Sequence, residues 1–168
     1  EALKEFGDMC REEERNLNKP LEVRSEIFSF QSSASDTIPV KKMSAEMSET
    51  ERIKTAARMS STSGSTTDFV TLGAIESNLK KEQKEKIKIG ELKKIVIVFT
   101  DGVSDDSTMV QEKLKLLRDA GVIVIGVGIT EEGEPALKTY APNARLAKKA
   151  SDLSIVLADL LKEHLSDI

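Results

Sequence analysis

Apolar positions along this chain repeat with two periods, and each change of period marks an element. Leu3, Phe6, Cys10 and Leu17 lie on one helical face with charged residues between them, and Pro20 ends that helix. From residue 21 the period shortens. Leu21, Val23 and Ile27 alternate with Glu22, Arg24 and Glu26, which predicts a half-buried strand over 21–30 whose second face turns apolar at Phe28 and Phe30. "TIPVKKM" (37–43) reads as a short partner strand, suited to a sheet edge by Pro39. Ser48 followed by Glu51 is a capping box and predicts a helix over 48–59. The Ser/Thr-rich "SSTSGSTTDF" is a loop, and Leu72, Ile75 and Leu79 at helical spacing place a further helix from about Thr67 or Asp68 onward. The lysine-rich, Gly-interrupted stretch 80–94 reads as a solvated helix end or loop.

The second half has a different texture. "IVIVFT" (95–100) and "GVIVIGVGIT" (121–130) are unbroken apolar runs rich in Val and Ile, the pattern of parallel strands covered on both faces. Between them Val110, Leu114 and Leu117 form one stripe, with Asp106 or Ser107 as N-cap and Gly121 just past the end. Strand, helix, strand of this length is a right-handed crossover unit. "EGEPALKTYAP" predicts a short helix and "NARLAKKA" a final edge strand. A C-terminal helix follows, capped by Ser151, with Leu153, Val156, Leu157, Leu160 and Leu161 on its apolar face.

Composition narrows the function. The 168 residues suit one domain, and the net charge of −4 gives no general attraction to nucleic acid or anionic membrane. Cys10 is the sole cysteine, which excludes an intrachain disulfide framework. No stretch reaches the roughly 20 apolar residues of a membrane span, and residues 1–10 lack a signal peptide's pattern, so a cytoplasmic protein is expected.

Chemistry concentrates at the end of the first apolar run. Asp101 stands where ligands bind in open parallel sheets, outside a strand's carboxyl end. With Thr100, Ser104, Asp105 and Asp106 it offers only oxygen, which selects a hard cation such as Mg²⁺. The plain alternative is that Asp101-Gly102 begins a turn and that Asp105 and Asp106 cap the next helix. Other chemistries fare worse. Position 103 is Val where a haloacid-dehalogenase phosphotransferase needs a second carboxylate, and the acids near Asp101 follow the strand instead of arriving from another, as a phosphoacceptor would need. The spacing of Gly126, Gly128 and Gly133 misses a dinucleotide fingerprint. Serine hydrolysis fails because the single histidine, His164, lies in the last turn of a helix and no nucleophile elbow exists. Cys10 and Tyr140 read as packing residues.

"IVIVFTDGVSDDS…VQEKLKLLRDAGVIVIGVGIT" resembles the later half of a von Willebrand factor type A (vWA) domain, and "SGSTTDFVTLGAI" is similar to the family's Gly-x-Thr loop and its helix. The resemblance runs to the final "SDLSIVLADLLKEHL". It implies an α/β fold: three layers, doubly wound and Rossmann-like, with a mostly parallel sheet and one antiparallel edge strand. It also implies a metal-ion-dependent adhesion site, in which Thr66 would be the metal-contacting hydroxyl, with Thr67 an alternative register, and Asp101 the carboxylate of the third loop. Mg²⁺ or Mn²⁺ held there with an open position would accept an acidic side chain from a partner protein, with no bond made or broken, so no enzyme is expected. A disulfide-free vWA domain is similar to members that act as adaptors for ring-forming ATPases of the AAA+ type. The alternative is a structural vWA domain whose metal site has decayed.

The family's first site loop, Asp-x-Ser-x-Ser, is absent. Ser33-Ala34-Ser35 and Ser61-Thr62-Ser63 do not follow a buried strand and have no preceding Asp. Residues 1–17 resemble the helix that follows that loop, so residues 1–168 are expected to be one vWA-like domain lacking its first strand and first site loop. In the family that strand is central, so its neighbours must meet or leave sheet edges unpaired. With two ligands left, Mg²⁺ or Mn²⁺ is expected to bind the chain weakly. Calorimetric titration checks this; tight stoichiometric binding would contradict it.

Overall fold

The computed structural model describes residues 8, 11–12, 14–15, 22–30, 37–45, 48–59 and 66–165. Asp8, Arg11, Glu12, Glu14 and Arg15 are helical, in line with the first predicted helix. The rest of that helix, including Cys10, lies outside the described residues, as do Ser33-Ala34-Ser35 and Ser61-Thr62-Ser63. The chain divides into two compact units, 1–29 with 38–62 and 151–168, and 30–37 with 63–150.

Strands β1 (Ser25–Phe30) and β2 (Thr37–Ser44) form an antiparallel two-stranded sheet. β1 starts four residues later than the alternation suggests, since residues 22–24 are not in a strand. In the first unit Lys41 is 2% exposed. A buried ammonium needs oxygen around it. Its Nζ donates to the carbonyls of Ser25 (2.8 Å), Lys42 (3.3 Å) and Ser44 (3.2 Å) and to Ser44 Oγ (2.9 Å). Helix α1 (Glu49–Met59) begins at the predicted cap, where the Glu51 amide donates to Ser48 Oγ, and Arg58 near its end donates to the Val40 carbonyl at 2.7 Å. The C-terminal helix, Leu153–Leu165, buries Leu157, Leu160 and Leu161 of the predicted stripe.

The second unit is built on a parallel sheet of β3 (Ile95–Thr100), β4 (Ile123–Ile129) and β5 (Ala144–Ala147), in that order. The register pairs Ile95 with Ile123 and Thr100 with Gly128, then Gly126 with Ala144. β4 is central and buried on both faces, as its sequence predicts. β3 is an edge among the described residues, and its alternate residues Ile95, Ile97 and Phe99 remain partly open. Helices α2 (Asp68–Ser77) and α4 (Ser107–Asp119) pack side by side, and α5 (Pro135–Thr139) lies on β4 and β5. Leu72, Leu79, Val96, Val98, Val124 and Tyr140 share one core with the α4 stripe Val110, Leu114 and Leu117.

Residues 81–88 are a helix in their own right, α3 (Lys81–Lys88), where the sequence suggests only a helix end or loop. Gln83 Oε1 accepts the Lys80 amide at 3.0 Å, the Glu82–Lys86 pair (2.8 Å) spans one turn, and Ile87 packs on the core. Gly90 and Gly121, at φ +78° and +79°, stop α3 and α4 in the left-handed conformation that glycine adopts without strain.

The two glycines of β4 make room for what crosses them. A Cβ on Gly126 would lie 2.4 Å from Tyr140 Cβ, and one on Gly128 would lie 2.2 Å from the Gly133 carbonyl oxygen. Gly126→Ala is therefore expected to cost about 1–3 kcal/mol through overpacking. Gly73 offers a contrast: in mid-helix, its added methyl would meet only the flexible Lys113 side chain at 3.4 Å. Gly73→Ala should gain up to about 1 kcal/mol. Urea unfolding of both variants checks the opposite signs.

Candidate metal centre

Thr66 reaches its position because the chain enters α2 from a loop, and Asp101 because β3 ends one residue before it. The two segments are joined directly: the Asp105 amide donates to the Thr66 carbonyl at 3.0 Å. Thr66 Oγ1 is 3.5 Å from where a Cβ on Gly102 would sit, so the threonine hydroxyl lies beside the residue that follows Asp101. Thr66 is half-buried and Asp101 exposed, whereas Thr67 is 5% exposed and occupies the N-cap position of α2. The loop after β3 is shaped by Thr100, whose Oγ1 donates to the Gly102 carbonyl (3.2 Å) and accepts from the Gly102 amide (3.3 Å).

The buried acid is Asp68, which the sequence marks as a helix start and not as a site residue. It is 2% exposed, and a buried carboxylate is costly unless several donors meet it. Three do. The Phe69 amide and Ser104 Oγ donate to Oδ1, at 3.0 and 2.5 Å, and the Tyr140 hydroxyl donates to Oδ2. Tyr140 reaches it because Gly126 lets the ring lie against β4. Burial, then the Asp68 charge and the hydrogen bond to it, push the Tyr140 phenol far above its ordinary pKa. Asp68 opens a helix directly after two threonines, a signal visible in the sequence; its pairing with Tyr140, 72 residues away, is not.

Asp106 caps α4, accepting the Met109 amide at 3.0 Å, as one of the two candidate caps. The Glu131–Gly133 turn lies across the strand ends: a Cβ on Gly133 would sit 2.9 Å from the Thr100 carbonyl oxygen. Gly126, Gly128 and Gly133 thus serve close backbone approach. Thr130, entering this turn, has φ +61°, a strained value for a β-branched residue. Its hydroxyl donates to Glu132, which holds that exposed carboxyl below its ordinary pKa.

Thr66 and Asp101 offer a hydroxyl and a carboxylate, the hard oxygen donors that suit Mg²⁺ or Mn²⁺, with water completing the shell. Among the described residues no group of three or more His, Cys, Asp or Glu side chains converges. Donor type therefore fits such a cation, and ligand number limits affinity.

A parallel sheet, a Thr-bearing loop ahead of a helix and an acid at a strand end are now in place, and the family model for the von Willebrand factor type A domain matches residues 13–163. The chain belongs to that family. vWA domains generally mediate protein–protein interactions. No curated protein matches. Among solved structures, the crystal structure of the manganese-loaded Plasmodium vivax TRAP protein is similar at a TM-score of 0.57 and 14% identity, over 84% of this chain. This chain spans 57% of that chain's length, and at that identity the likeness concerns the fold alone. Among its described residues the vWA domain has no helix long and apolar enough to cross a membrane.

Tyr140 is the only tyrosine, so phenolate absorbance reports it alone. Its raised pKa means that the folded state favours the neutral phenol. That stability is fully present below the unfolded value of about 10 and is lost as pH rises toward the folded value. Absorbance near 295 nm is expected to stay flat through pH 10 and to rise only as the protein unfolds. A reversible transition near pH 10 in the folded protein would contradict the buried pair.

Proposed function

We propose that this vWA domain is a protein-binding module whose contact is a divalent cation at Thr66 and Asp101, and that it acts by binding, with no bond made or broken. The observation that carries the reading is the joining of the two loops, through the Asp105 amide on the Thr66 carbonyl, with the Thr66 hydroxyl beside Gly102. A cation held there would supply a positive charge for an acidic side chain of the partner. Thr66 would contribute its hydroxyl and the exposed Asp101 its carboxylate, directly or through water. The manganese-loaded state of the TRAP structure supports this reading by analogy of fold. The same module, with one cysteine and no disulfide framework, suits an adaptor of a ring-forming AAA+ ATPase carrying an exposed acidic segment.

Mn²⁺ titration followed by electron paramagnetic resonance tests the site. Thr66→Ala and Asp101→Ala are each expected to weaken Mn²⁺ binding at least about tenfold while circular dichroism stays unchanged, because both residues lie outside the helices and strands and neither belongs to the apolar core. Unchanged binding in both variants, or none in the parent at millimolar Mn²⁺, would favour a structural vWA domain with a decayed site.

A further inference from the structure

We infer that Asp68 is a positioning residue: through Ser104 and Tyr140 its buried carboxylate clamps the Thr66 loop to the Asp101 loop and fixes both against the sheet. This rests on the metal-site reading above for its purpose, and on the hydrogen bonds for its existence.

An acid in the first turn of a helix ordinarily sits at the surface, where it favours the helix dipole. Asp68 is 2% exposed, and two of its three donors come from far along the chain, 36 and 72 residues away. Ser104 belongs to the loop that begins with Asp101. Its bond to Asp68 Oδ1 lies next to the bond from the Asp105 amide to the Thr66 carbonyl, so residues 66–68 and 104–105 are stitched at two adjacent points. One stitch alone would leave a hinge; two fix the separation of Thr66 and Asp101. The second carboxylate oxygen is anchored by Tyr140, which is 1% exposed and seated in the hollow that Gly126 leaves on β4. The clamp therefore refers both loops to the most buried strand of the unit.

Such outer partners orient the groups that touch a metal, and their loss typically weakens metal binding by about 10–100-fold. Asp68 has both oxygens engaged by protein donors, so it acts through its neighbours.

Amide hydrogen exchange in the metal-free protein tests the clamp directly. Ser104→Ala is the primary variant, because it removes one bond on the half-exposed side. Tyr140→Phe removes only the anchoring hydroxyl. The Asp105 amide is expected to exchange at least about tenfold faster in both, and by a clearly larger factor than Val124 and Val127 of β4, which report overall stability. Ser104→Thr, which keeps the hydroxyl, should restore protection. Unchanged exchange at Asp105 would overturn the inference, and so would equal acceleration of β4 and Asp105, which would make these residues ordinary packing. A Mn²⁺ titration of the same variants separates the two claims. If the parent protein binds Mn²⁺ and Ser104→Ala binds it equally well, the positioning role fails. If the parent binds none, the metal reading fails and exchange at Asp105 still decides the clamp.

Discussion

A buried carboxylate without partners is among the costliest groups a small domain can hold, and Asp68 meets that constraint with three donors drawn from three parts of the chain. Much of the second unit is arranged so that those donors arrive. Gly126 must lack a side chain for Tyr140 to lie against β4, and α5 must end where it does for the hydroxyl to point at α2. Arg118 of α4 secures that end from the other side, donating to the carbonyls of Tyr140 (3.0 Å) and Ala141 (2.9 Å). The Asp101 loop must fold back for Ser104 to reach the same carboxylate. Each requirement is local, and all converge on one pair of oxygens.

Under the proposed function, two acids take two tasks. A carboxylate that supports a cation open to a partner must be reachable from solvent, and Asp101 is exposed. An acid that holds loops in place must be engaged on both oxygens, and Asp68 is. A strand that runs apolar to its end and then carries an aspartate invites the idea that the aspartate itself is buried and needs a cation to compensate. Asp101 is exposed and needs no such compensation; the buried acid is Asp68, and hydrogen bonds compensate it.

The described strands fall into two sheets, a hairpin of β1 and β2 and a parallel sheet of β3, β4 and β5. Half-open apolar residues along β3 contrast with β4, which is buried from Val124 to Gly128. Lys41 raises the same issue as Asp68 with the opposite sign. Its ammonium is met by carbonyl and hydroxyl oxygens of the hairpin, so the two charged groups buried among the described residues, Lys41 and Asp68, are solvated by the protein itself.

Most elements and their order were legible in the residues alone. The Val/Ile runs at 95–100 and 123–129, the stripe Val110, Leu114 and Leu117, the stop at Gly121 and the start of α2 near Thr67 or Asp68 are set by periodicity and capping, which act over a few residues. Thr66 and Asp101 could be singled out as a pair because a short motif marks each. Helix α3 was harder to see, since a charged stretch becomes helical only once Ile87 has a core to rest on. What the tertiary structure alone decided is the company each polar group keeps. That Asp68 is buried, that Tyr140 and Ser104 come to it, and that Gly126 makes the room are facts about residues 36 to 72 positions apart. No local pattern records them, because burial and pairing exist only after the sheet has brought distant segments within hydrogen-bonding reach.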